Sequence, residues 1–86
     1  MDDNIGFRIN KVRSQLNLSM EKFGNKIGIS KSSVNKLEKG INQPSEQTIK
    51  LICSVYNVDY VWLTKGIGNE MFVSIPESKI DQIMED

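Results

Sequence analysis

The sequence predicts an all-α protein, a compact bundle of about five short helices. Apolar residues recur at spacings of three and four, which is the period of a helix with one buried face. The apolar stretches are also set off by residues that start and stop helices: Ser or Asp before them, Gly after them. With 86 residues, a hydrophobic fraction of 38% and a charged fraction of 26%, the chain can build one core but not two.

Taken in order, Ile5, Ile9, Val12 and Leu16 form one face of a first helix running to about Asn17, with Arg8, Lys11 and Arg13 mostly off that stripe. Ser19 can cap a second helix, with Glu21 near its positive end and Met20, Phe23 and Ile27 on one face. Gly28 ends it by taking a positive φ. Ser30 caps a third helix in which Val34 and Leu37 face inward while Lys31, Ser32, Asn35 and Lys36 point outward, and Gly40 closes it. After the loop 40–45, Ser45 caps a fourth helix with Ile49, Ile52, Cys53 and Tyr56 inward and Leu51 and Val55 widening the buried stripe. Asp59 caps a brief fifth helix carrying Val61, Trp62 and Leu63, stopped by Gly66. Trp62 is expected in the core.

These assignments place one domain at residues 1–72 and a tail at 73–86. Pro76 followed by Ile80, Ile83 and Met84 at helical spacing marks a further short helix. A helix this short is marginal alone, so three outcomes stay open: docking on its own core, fraying, or pairing with a second subunit. Cys53 is the only cysteine and histidine is absent, so no internal disulfide and no usual zinc site is expected, and no cofactor. No apolar run approaches the length of a membrane span and the acidic start lacks the marks of a signal peptide. The expected location is the cytoplasm.

The formal net charge is zero, but its distribution is uneven: residues 1–45 carry eight basic side chains against four acids, and residues 46–86 carry three against seven. A +4 half can face phosphates, although a charged surface without a partner has the same composition.

The most informative segment is the frame from Met20 to Lys39. Gly24 lacks a side chain where the third helix must approach the second, and Gly28 makes the turn. Phe23, Ile27, Ile29, Val34 and Leu37 supply a shared core. The landmarks Leu18-Ser19-Met20-Glu21-Lys22-Phe23, Ile27-Gly28-Ile29-Ser30, Leu37-Glu38-Lys39-Gly40, Pro44-Ser45 and Val58-Asp59-Tyr60-Val61-Trp62-Leu63 fall in this order. On them, the chain from about Ile5 to Gly68 resembles the Cro and phage-repressor type, or Xre-like, helix-turn-helix regulators.

That resemblance implies a lambda-repressor-like DNA-binding domain whose 30–39 helix enters the major groove of double-stranded DNA. It implies base reading by Lys31, Ser32 and Lys36, and Asn35 joins them because its amide can pair with adenine; the family also lets the Asn35 position assist at phosphates. Phosphate contacts are implied for Ser30 and Ser33 and for the loop at Lys39, Asn42 and Gln43, with Lys22 added. Met20 departs from the family, which often has a phosphate-binding glutamine there; Lys22, Arg8 or Lys11 are candidates to replace that contact. The family pairs an arginine with a glutamate at the positions of Arg13 and Glu38, a structural ion pair.

The expected function is thus a sequence-specific transcriptional regulator, a repressor acting as a homodimer. Alternatives are a restriction-modification controller, an antitoxin with a toxin partner, or a protein-interaction module that has lost DNA, with a toxin or antirepressor as an unknown protein partner. An enzyme is not expected, since no histidine stands by to activate a serine or the cysteine and no phosphate-cradling glycine loop is present. Large phage repressors can carry a self-cleaving domain, for which this length leaves no room, so induction by self-cleavage is not expected.

Overall fold

The computed structural model describes residues 4–68 and 70–73. The tail helix expected around Ile80 to Met84 lies outside them. Among the described residues five helices follow one another: α1 (Ile5–Gln15), α2 (Met20–Ile27), α3 (Lys31–Glu38), α4 (Glu46–Tyr56) and α5 (Tyr60–Lys65).

Local chemistry sets their ends. Ser19, Ser30, Ser45 and Asp59 each accept the backbone N–H three residues on, that of Lys22, Ser33, Thr48 and Trp62. Each such bond satisfies an amide that has no partner inside its helix, worth about 1 kcal/mol. Asn4 does the same for α1 by accepting from the Phe7 amide at 2.9 Å, a cap the periodicity argument passed over. At the other end, α1 stops at Gln15 because Asn17 turns left-handed at φ 56°, sending the Leu18 amide to the Arg13 carbonyl and its own amide to that of Ser14. Gly40, at φ 78°, closes α3 in the same way, with Ile41 bonding to Lys36 and Gly40 to Leu37.

The core is Ile9 and Val12 from α1, Phe23 and Ile27 from α2, Val34 and Leu37 from α3, Ile49, Ile52 and Tyr56 from α4, then Val58 and Leu63. Trp62 is half-buried against it. Phe23 and Tyr56 stack with ring centroids 4.7 Å apart, and the Tyr56 hydroxyl donates to the Phe23 carbonyl at 2.8 Å. Two helix crossings are close enough to exclude a side chain. A β-carbon at Gly24 would stand 2.5 Å from the Ile29 carbonyl oxygen and 3.0 Å from Val34 Cγ2, so this glycine admits both the turn and α3.

Two expectations need correction. Leu51 and Val55 do not widen the buried stripe of α4: they are 37% and 41% exposed, because α2 and α5 cover only the side that carries Ile49, Ile52 and Tyr56. Arg8, a candidate to replace the phosphate contact missing at Met20, is turned inward instead. It is 6% exposed, and its Nε and Nη2 donate to the carbonyls of Leu63 and Thr64 at 2.8 and 3.2 Å, fastening α1 to the end of α5, where helix carbonyls lack intrahelical partners. After α5 the chain returns to the α4–α5 corner: Val58 and Phe72 form an antiparallel bridge, with Asp59 bonded to Met71 and Val73 to Asn57 through the backbone.

Candidate nucleic-acid interface

The third helix is built to present one face. Val34 and Leu37 are buried, which fixes its rotation, and Lys31, Ser32 and Lys36 are consequently exposed. Lys39, Asn42 and Gln43 continue the exposed surface past its end, on a loop held by two amides, those of Ile41 and Asn42, both bonded to the Lys36 carbonyl. Lys22 is exposed on the first turn of α2.

Ser30 and Ser33 stand together at the start of α3. The Ser30 hydroxyl accepts from the Ser33 amide and donates to the Ser33 hydroxyl, both at 3.1 Å, so Ser33 Oγ keeps a proton to offer outward.

Asn35 lies on the same outward side of α3, four residues after Lys31 and four before Lys39. It is half-buried and lines an open cleft of about 430 Å³ with Phe7, Asn10, Met20, Glu38 and Lys39. The cleft lies where the starts of α1 and α2 meet the second half of α3, so Asn35 and Met20 share one site.

Glu38 is the acid in that site, and it is fully occupied. Its side chain is 4% exposed. Arg13 grips it with two parallel bonds, Nε to Oε2 at 2.6 Å and Nη2 to Oε1 at 3.1 Å, the bidentate geometry that makes arginine-carboxylate pairs strong and directional. The bond to Glu38 is the main cause that raises the Arg13 pKa above its ordinary value. Arg13 Nη1 also donates to the Leu18 carbonyl at 2.9 Å. One guanidinium therefore ties α1 to the α1–α2 turn and to α3, and neutralises an acid beside the exposed lysines.

Asn10 completes the arrangement by donating to Glu38 Oε1 at 2.8 Å. Sequence reasoning missed this residue, although its place one helical turn before Arg13 puts both on the same face of α1. It also missed the pairing of Lys11 with Phe7, whose ring centroid lies 5.4 Å from the ammonium, again at helical spacing. Phe7 is exposed, so a plain periodicity argument assigns it no role.

What the surface can do chemically follows from this inventory. Lysines and hydroxyls on a rotationally fixed helix can donate to base edges and phosphates. Among the described residues there is no cluster of three or more metal-ligating side chains, and no helix long and apolar enough to cross a membrane.

Comparisons with known proteins agree with the geometry. A helix-turn-helix family model matches residues 9–63. Antitoxin PezA of Streptococcus pneumoniae is 35% identical over 57 residues, which are 66% of this chain and 36% of that protein. An uncharacterised HTH-type transcriptional regulator of Sinorhizobium medicae is 34% identical over 58 residues, 67% of this chain and 42% of that one. The chain thus spans about two fifths of the length of these curated relatives. Among solved structures, the P22 c2 repressor in complex with a synthetic operator superimposes with a TM-score of 0.69 at 20% identity, covering 74% of this chain and 97% of the repressor chain. A transcriptional regulator from Listeria innocua gives 0.68 at 10% identity, covering 99% and 77%. ComR from Streptococcus suis gives 0.63 at 23% identity, covering 95% and 26%. With the family model spanning more than half of its residues, the chain belongs to the helix-turn-helix family of the Cro and phage-repressor type.

Proposed function

We propose that this chain binds double-stranded DNA sequence-specifically as a transcriptional repressor, laying α3 in the major groove as one half of a two-fold dimer. The observation that carries the proposal is the row of Lys31, Ser32 and Lys36, exposed on a helix whose opposite face is locked into the core. Lys31, Ser32 and Lys36 read base edges in this scheme. Ser30, Ser33, Lys39, Asn42, Gln43 and Lys22 meet the backbone. Asn35 joins Lys31 and Lys36 at the bases, its amide suited to adenine, from the wall of the cleft it shares with Met20. Dimers of this motif place their reading helices about 34 Å apart, one turn of the duplex, which gives a palindromic operator.

The test is binding of the purified protein to the DNA upstream of its own gene and to a scrambled duplex, at two salt concentrations. Each neutralised phosphate lowers the slope of log K against log salt by about 0.9. A steep slope with preference for the upstream DNA supports an autoregulating repressor. A slope near zero on both duplexes defeats the proposal.

A second reading is favoured by one observation, the 35% identity to an antitoxin. As an antitoxin the chain would use the same DNA surface and also bind a toxin protein. Co-expression with the product of the adjacent gene checks this: relief of that product's toxicity together with co-purification favours the antitoxin reading, and neither effect leaves the repressor alone.

A further inference from the structure

Met20 leaves a gap in the chemistry of the cleft. As the first residue of α2 it lines the cleft wall, yet its thioether has no N–H or O–H to give a phosphate. The first amides of a helix have no intrahelical partners, and the Ser19 hydroxyl accepts only that of Lys22. A phosphate placed there must draw its neutralising positive charge from neighbouring side chains. Arg8 is spent on the α5 carbonyls. Glu38 would repel the anion, but Arg13 and Asn10 cover both of its oxygens.

Lys11 is placed differently from the other cations. Its ammonium lies 5.4 Å from the centre of the Phe7 ring, and Phe7 lines the same cleft as Met20 and Lys39. We infer that Lys11, held on the face of Phe7, contacts the DNA backbone and, with Lys39, supplies the charge that neutralises a phosphate seated at the cleft before Met20. This inference rests on the DNA-binding proposal above. An aromatic face attracts an ammonium through its quadrupole and restrains the flexible four-carbon stem, while the N–H groups turned away from the ring stay open to an anion. Less side-chain freedom is then lost when the phosphate arrives. Phe7 is the positioning residue, and its exposed ring is explained by the cation it carries.

The test compares the full chain with its Lys11→Met, Lys11→Arg, Phe7→Leu and Lys50→Met variants on the preferred DNA and a scrambled duplex across a salt series, with melting curves to show that each folds. Lys11→Met is expected to weaken binding to both duplexes by a similar factor, about three- to tenfold, and to reduce the salt slope by about 0.9. Lys11→Arg should keep the slope. Phe7→Leu keeps the charge, so it should leave the slope in place while lowering affinity a few-fold on both duplexes. Lys50→Met, on α4, removes an equal charge and should change affinity less than twofold. A wild-type slope in Lys11→Met, with wild-type protein still salt-sensitive, overturns the Lys11 contact and leaves the DNA-binding proposal standing. Unchanged affinity in Phe7→Leu overturns the role of the ring. A wild-type slope near zero overturns both the contact and the proposal it rests on.

Discussion

Gly6 lies so close to the backbone of Leu37 that a β-carbon at position 6 would collide with the Leu37 carbonyl oxygen. This contact sets how near α1 comes to the end of α3, and Glu38 follows directly in the chain. The grip of Arg13 and Asn10 on Glu38 depends on the same approach.

Gly6→Ala is therefore expected to destabilise. Alanine favours a helix over glycine by about 1 kcal/mol, but here the added carbon meets backbone, which cannot rotate away, and overpacking costs about 1 to 3 kcal/mol. Gly24→Ala meets the Ile29 carbonyl at 2.5 Å and should behave alike. Denaturant melts read the sign: a more stable Gly6→Ala protein would mean the helices have room to spare.

Arg13→Met should cost more than Asn10→Ala. Removing Arg13 strips Glu38 of both short bonds and leaves a buried carboxylate with Asn10 alone, a loss on the order of 3 kcal/mol. Removing Asn10 leaves the ion pair intact and costs about 1 kcal/mol. Equal losses in equilibrium unfolding would show that the pair contributes no more than a single hydrogen bond.

Tyr56 gives stability a dependence on alkaline pH. Burial raises its pKa above the ordinary value, so the folded state holds the phenolic proton more tightly than the unfolded chain. That contribution is whole below the unfolded pKa of about 10 and is lost as pH rises through the folded value. Tyr60 acts in the same direction through its bond to Glu46. Tyr56→Phe should cost about 1 kcal/mol at neutral pH through the lost bond to Phe23, and should flatten the fall in stability above about pH 10. Urea titrations across that range check both parts; an unaltered alkaline slope would contradict the second.

Base reading and backbone contact separate by their spread over sequences. Lys31→Met or Lys36→Met should cost about 1 to 3 kcal/mol at particular base pairs, whereas Lys39→Met should weaken all duplexes alike and lower the salt slope by about 1. Binding measured on single-base operator variants distinguishes them. Uniform losses for Lys36→Met would move it from the bases to the backbone.

The sequence by itself determined the parts that are local in the chain. Ser19, Ser30, Ser45 and Asp59 act three residues away, and the alternation of buried and exposed positions along α3 follows from helical geometry, so the capped helices and the exposed lysine row were legible. Chain-distant geometry was not. A stripe of apolar residues states which face of a helix is greasy but not how much of it the neighbours cover, so Leu51 and Val55 were placed inside and stand exposed. Nothing local marks Arg8 as a buried cation, because its partners at Leu63 and Thr64 are more than fifty residues away in the chain. The close approach at Gly6, the bond from Asn10 to Glu38 and the bridge from Val58 to Phe72 likewise depend on crossing angles and return paths. Only the packed tertiary structure decides these, because each contact forms when two separate elements are brought to one distance by the whole core.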